Sequence, residues 1–220
     1  MQKIVDINAD EVATAPGESP RLRPGFTVFL TGLSAAGKTT IADALMKRLP
    51  ALSGRPVTLL DGDQVRKRLS PDLSFSKADR DLHIRRIGSF ASEISKDGGI
   101  AVCAVIAPYD SVRKEVRRLV KSHAGFMLVY VATPLCVCEQ RDPKGLYVKA
   151  RAGLIKEFTG ISDPYETPDD AELTIDTDGI TPDKAASQIL QYLERESYIE
   201  SAESGAMLSD CVFHTIGDQP

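Results

Sequence analysis

The sequence predicts an α/β fold of the P-loop NTPase type, a parallel sheet flanked by helices on both faces, with a mobile lid. Three observations predict it. Strand-sized apolar runs alternate with charged amphipathic stretches along the chain, the pattern of successive βα units. The first run, Phe26–Thr31, leads into Gly32-Leu33-Ser34-Ala35-Ala36-Gly37-Lys38-Thr39, which fits G-x-x-x-x-G-K-[ST]. Acidic and basic residues collect just after later apolar runs, at the carboxyl edge of such a sheet, where ligands gather.

The chain's 220 residues suit one domain with tails and a real hydrophobic core. A net charge of −4 argues against general nucleic-acid affinity. The apolar runs fall well short of a membrane span, and Met1–Asp10 has no apolar stretch to serve as a signal peptide, so a cytoplasmic location is expected. Cys103, Cys136, Cys138 and Cys211 make no zinc-type pair of pairs and are read as reduced thiols. Cys136 and Cys138, two apart at a helix start, cannot share one helical face.

Residues 1–24, rich in Pro, Gly and charge, read as a flexible arm or linker, and the folded domain as 25–199. Phe26–Thr31 is a buried strand, and the phosphate-loop helix follows to Leu49, ended by Pro50 and Gly54. Pro56–Leu60 is a second buried strand. Asp61-Gly62-Asp63-Gln64-Val65-Arg66 follows at its carboxyl end, where either acid could instead cap a helix. Ser76 caps a long helix running to about Lys96, with Asp79 approximating a capping box. On it Arg80, His83 and Arg86 share part of one face, a site or a solvated basic surface. Ile100–Ile106 is the third strand, Asp110–Ser122 a helix, Phe126–Ala132 the fourth strand, and Pro134–Glu139 a short helix. The basic, Gly-punctuated stretch that follows, about 142–166, reads as a lid over phosphates or as a solvated loop. Leu173–Asp176 is a weak last strand, Thr181–Glu196 closes the domain with Pro182 in its first turn, and 200–220 reads as an irregular tail.

The chemistry of the loop is specific. Its glycines let successive N–H groups point at phosphate oxygens, and the helix start adds its positive dipole end. Gly32, Leu33, Ser34, Ala35, Ala36, Gly37, Lys38, Thr39 and Thr40 are therefore candidates for ATP binding, with Lys38 supplying a full charge. The Thr39 hydroxyl suits Mg²⁺, which keeps several waters and bridges phosphates. Of Asp61 and Asp63, one could support the Mg²⁺ shell through water and the other accept a proton from an attacking hydroxyl.

Several of these segments together resemble adenylylsulfate (APS) kinase: residues 32–39, 61–66, 75–80 with 84–86, Pro108-Tyr109, 141–147 and 155–166. The last reads Ile-Lys-Glu-Phe-Thr-Gly-Ile-Ser-Asp-Pro-Tyr-Glu, and the resemblance spans roughly 22–199. It is strongest to the kinase domain fused to sulfate adenylyltransferase in bifunctional bacterial proteins. The resemblance implies transfer of the ATP γ-phosphoryl group to the ribose 3′-hydroxyl of APS, giving PAPS and ADP, with Mg²⁺. It implies that Asp63 activates the hydroxyl, that Asp61 supports the metal shell, and that Lys38 serves the phosphates. Arg66 and Arg80 would grip the phosphate–sulfate, Phe75 and Phe158 would stack on the APS adenine, and Lys144 would reach its anionic part. Ile106 and His83 would also line the APS site, and Arg141 would meet the ATP base or phosphates. A fused or associated sulfate adenylyltransferase, and a homodimer or larger assembly, are the expected partners.

Two positions depart from the family. Ala107 stands where Ser is common, so no phosphoserine can form there and direct in-line transfer is expected. His83 stands where Asn is common, and a protonated ring would add a charge beside APS. A kinase of another sugar or nucleoside, and a non-catalytic PAPS-binding regulatory domain, are the competing readings; the intact loop and Asp63 stand against the second.

Overall fold

The computed structural model describes residues 24–200. The expected N-terminal arm and C-terminal tail, with Cys211, lie outside the described residues. Five parallel strands form the sheet: β1 (Phe26–Thr31), β2 (Val57–Asp61), β3 (Ile100–Ala104), β4 (Gly125–Val131) and β5 (Leu173–Ile175), in the order β2-β3-β1-β4-β5. The helices are α1 (Lys38–Ser53), α2 (Gly62–Leu69), α3 (Lys77–Lys96), α4 (Asp110–Lys121), α5 (Leu135–Arg141), α6 (Leu146–Arg151) and α7 (Pro182–Arg195).

Strand β1 is central and buried at every position, as its unbroken apolar and β-branched run requires. Its side chains alternate between two cores. Phe26, Val28 and Leu30 pack with α1 and α7 residues such as Leu45 and Ile189; Phe29 packs on the other face with Ile87 and Val116 of α3 and α4. Thr27, fully buried, satisfies its hydroxyl on Ser95 Oγ at 2.8 Å.

Three expectations are corrected. Strand β2 is an edge strand with only Leu60 buried, because among the described residues nothing pairs with its outer side. Pro50 lies inside α1, which ends instead at Gly54 in the left-handed conformation (φ 62°), whose N–H returns to the Pro50 carbonyl at 3.1 Å. Strand β3 stops at Ala104, and the chain turns through Ala107 at φ 43°, a left-handed value rare for alanine.

The remaining helix boundaries follow their caps. Ser76 Oγ accepts from Asp79 N at 3.2 Å, and Thr181 Oγ1 from Lys184 N at 3.2 Å, with Pro182 opening α7. Among the described residues, no helix is long and apolar enough to cross a membrane. Cys103 and Cys138 are buried and Cys136 exposed, all three as free thiols.

Candidate active site

The β1–α1 loop curls over the carboxyl end of the sheet. Gly32 begins it at φ 151°, where a Cβ would lie 2.5 Å from the Val131 carbonyl oxygen, so only glycine fits between β1 and β4. From below, Thr133 and Thr177 both donate to the Ala36 carbonyl, at 2.9 and 3.0 Å, and touch each other at 2.6 Å. From the side, buried Tyr147 of α6 donates to the Ser34 carbonyl at 3.0 Å. The loop is thus braced by three elements distant in sequence, a pre-formed cradle of the kind that binds phosphate without rearranging.

Lys38 folds back over this cradle, donating to the carbonyls of Gly32 (2.9 Å) and Leu33 (2.5 Å). It is 8% exposed, and burial lowers its pKa to about 8 against the pull of Asp63 and Asp61. An anion beside it would raise that pKa again and favour the charged ammonium, which is the electrostatic reason a phosphate suits the place.

Asp61 serves two partners with two oxygens. Oδ1 caps α2 by accepting from Asp63 N and Gln64 N, both at 3.1 Å. Oδ2 accepts from the Thr39 hydroxyl at 2.8 Å. The cap reading therefore holds at this residue, and the second oxygen is left facing the Thr39 hydroxyl. Asp63, exposed in the first turn of α2, is ion-paired with Lys144 from the 142–166 stretch. These groups open on a cleft of about 840 Å³ lined by Thr39, Thr40, Asp61, Asp63, Lys144 and Arg141. At its far end stand Thr177, Ile180, Thr181 and Pro182, which sequence reasoning did not assign; their signal was position, directly after the last strand. Arg141 reaches that end, donating to Thr177 Oγ1 at 2.7 Å and Thr177 O at 3.0 Å.

The remaining candidates lie around α2, α3 and the lid stretch. Arg66 donates to Ser74 O at 3.0 Å and lies over the Phe75 ring, 4.8 Å from its centroid. Phe75 is 65% exposed, while Phe158 is half-buried, edge-on to Tyr147 at 5.0 Å. Ile106 turns its carbonyl inward, accepting from Thr31 Oγ1 at 2.6 Å. The basic face of α3 is divided, with Arg80 and His83 withdrawn from solvent and Arg86 paired at the surface. Arg80 is bound to Asp163 (2.6 Å) and Thr159 (3.0 Å), and Arg86 to Asp72 (3.0 Å). His83 is buried between Ser70 Oγ and the Gly62 carbonyl, both at 3.1 Å, and its hydrogen-bonding atoms are spent inside the protein. Burial and the Arg66 charge hold its pKa down at about 4, so the ring is neutral at physiological pH and adds no charge.

The stretch 142–166 contains helix α6, which the sequence reading treats as loop, and its second half is fastened down. Tyr109 OH and Arg80 both donate to Asp163 Oδ2 at 2.6 Å, and Glu166 N donates to the Pro108 carbonyl at 2.8 Å.

A parallel sheet carrying a braced phosphate loop, with Asp61 and Asp63 at the carboxyl end of the edge strand β2, one strand removed from β1, defines a P-loop kinase. Comparison with known proteins narrows the class. The family model for adenylylsulphate kinase matches residues 24–176, and the chain belongs to that family. An adenylyl-sulfate kinase of Synechococcus sp. (strain JA-3-3Ab) is 47% identical over 178 residues, covering 81% of this chain and 99% of its own length. A sulfate adenylyltransferase of Aspergillus oryzae is 48% identical over 183 residues, covering 83% of this chain and 32% of its own. The chain thus spans about a third of the length of the sulfate adenylyltransferases it matches. The structure of the Mycobacterium tuberculosis APS kinase in complex with AMPPNP and APS superposes with a TM-score of 0.74 at 38% identity, covering 78% of this chain and 98% of that one.

Proposed function

We propose that this protein transfers the γ-phosphoryl group of ATP to the ribose 3′-hydroxyl of APS, giving PAPS and ADP. The observation that carries it is the convergence of Thr39, Asp61 and Asp63 on the phosphate-loop cleft. Family membership and the superposed kinase with APS in its complex support the choice of acceptor.

In this reading the cleft takes ATP, with the β- and γ-phosphates on the loop N–H groups and Lys38. The oxygens of Thr39 and Asp61, facing each other across 2.8 Å, are hard donors that suit Mg²⁺ and would hold it, Asp61 through water. The ion would supply charge neutralisation to the phosphates. Asp63 takes the proton of the 3′-hydroxyl as the new O–P bond forms in line and the bond from phosphorus to the β–γ bridging oxygen breaks, releasing ADP. Lys144, paired with Asp63, passes its ammonium to the anionic part of APS. Arg66 and Arg80 hold the phosphate–sulfate, and the rings of Phe75 and Phe158 hold the base. Ala107, buried and without a hydroxyl, leaves no side-chain acceptor at its position and keeps the transfer direct. A sulfate adenylyltransferase, fused or associated, is the partner that would supply APS.

The test is ADP and PAPS formation by purified protein with ATP, Mg²⁺ and APS. Turnover that requires APS, falling roughly 10²–10⁴-fold in Asp63→Asn and similarly in Lys38→Ala, is the expected result. Nucleotide binding with no turnover on APS would overturn the reading in favour of a sensor or a kinase of another acceptor.

A further inference from the structure

We infer that Asp163 is the positioning residue of the acceptor side: its carboxylate sets the Arg80 guanidinium and ties it to the loop that carries the Phe158 ring. This rests on the acceptor reading above, which gives Arg80 and Phe158 to APS. Asp163 itself touches neither substrate in that reading and acts through Arg80.

The geometry is specific. A single oxygen, Oδ2, accepts from Arg80 Nη1 and from Tyr109 OH, each at 2.6 Å. The pair is shielded, with the Arg80 side chain 11% exposed and that of Asp163 21%, so the contact is a charge-assisted hydrogen bond in a poorly screened place. Thr159 Oγ1 adds a second contact to the same Nη1 at 3.0 Å, and the Glu157 carbonyl engages Nη2. Three acceptors from one short segment therefore fix a side chain that is otherwise rich in rotamers.

That segment is closed on itself. Gly160 N donates to Asp163 O at 2.7 Å, Asp163 N to Phe158 O at 3.1 Å, and Phe158 N to Ser162 Oγ at 2.9 Å. The carboxylate and the Phe158 ring thus ride on one tight loop and cannot move independently. The loop is anchored from outside by Tyr109, whose hydroxyl keeps its proton because burial and the neighbouring carboxylate push its pKa up to about 12. Tyr109 belongs to the β3–α4 connection, and fully buried Arg113 bolts that connection to the end of the lid stretch. Its Nη1 donates to Ala107 O at 2.8 Å and its Nη2 to Glu166 O at 2.7 Å. Asp163 is where α3, the β3–α4 connection and the lid stretch meet.

The experiment measures KM for APS and for ATP in wild type, Asp163→Asn, Arg80→Ala and the double variant, with APS binding by calorimetry in the presence of a non-hydrolysable ATP analogue. Asp163→Asn keeps the shape and loses the charge. It should raise KM and Kd for APS about tenfold, as expected for a lost charge-assisted hydrogen bond, with KM for ATP unchanged. In the Arg80→Ala background the same change should add nothing, the mark of a residue acting through another. Should Asp163→Asn not fold, Tyr109→Phe removes one of the two donors to Oδ2 and should raise KM for APS alone, by less. Independent effects of Asp163→Asn and Arg80→Ala, or equal rises in both KM values with a lowered Tm, would overturn the inference. The binding arm separates it from the reaction: APS that binds without turnover and weakens tenfold in Asp163→Asn supports the positioning role while the kinase reading fails. A wild type that binds no APS removes both.

Discussion

The two halves of the site are built by different means. The phosphate cradle is one contiguous segment: Lys38 bonds carbonyls five and six residues before it, and the loop's curvature is set by its own glycines. The acceptor half is assembled from pairs far apart in sequence, Arg80 with Asp163 across 83 positions and Lys144 with Asp63 across 81. The cradle is braced around buried Gly32, Ala36 and Lys38, whereas Phe75 stands 65% exposed and Lys144 and Asp63 both face solvent. On the proposed reading, nucleotide binding rests mainly on one segment of the chain, and acceptor recognition on how residues 142–166 pack. Damage to the first should act on chemistry directly; damage to the second should act through position.

Asp61 gives the sharpest test of the cradle because its two oxygens do different work. Asp61→Asn keeps an oxygen to cap α2 but loses the charge facing Thr39, so stability should hold while activity falls roughly 10–100-fold, with a raised Mg²⁺ requirement. Asp61→Ala should show the same loss of activity and also cost about 1 kcal/mol from the missing cap. Urea unfolding beside Mg²⁺-dependent rates distinguishes the two oxygens. An Asn variant as unstable as the Ala variant would refute the division.

The join between the halves is tested at Gly160. It sits at φ 89°, and a Cβ there would lie 2.9 Å from Leu33 Cδ2, inside the phosphate loop. Gly160→Ala should destabilise by about 1–2 kcal/mol, from left-handed backbone strain. Because Leu33 must shift, KM for ATP should rise together with KM for APS. A rise confined to APS would show that the halves are less coupled than this contact suggests.

Legibility in the sequence follows the same division. Residues 32–39 could be read because the glycines and Lys38 that shape the loop lie within a few positions of one another, and strand–helix alternation marked the sheet because burial on both faces writes unbroken apolar runs. The edge position of β2 was not legible, since strand order depends on crossovers rather than on any one segment. Helix α6 was hidden by its length, six residues with Gly145 and Gly153 at either side. Tyr147, Thr133 and Thr177 brace the loop through single hydrogen bonds to carbonyls, and no spacing rule marks such residues. Asp163 and Tyr109 were visible only as letters in family strings; the meeting of Tyr109 and Arg80 on one Asp163 oxygen exists only once three segments are packed together.

His83 supplies the finest test, of the wall beneath the acceptor half. Its Nε2 must donate to the Gly62 carbonyl, so Nδ1 accepts from the Ser70 hydroxyl, which in turn accepts from Arg86 at 3.2 Å. Every group in this directional chain has its partner only while the imidazole is neutral. With the folded pKa near 4 and the unfolded value at 6.5, the unfolded chain takes up a proton that the folded one refuses. Stability should therefore fall as pH drops below about 6.5 and level off near 4, by about 1 kcal/mol between pH 7 and pH 5.5. Urea unfolding across that range should show the slope in wild type and its reduction in His83→Asn. An unchanged slope in the variant would place the acid sensitivity in other groups and return His83 to the candidates for charge beside the acceptor.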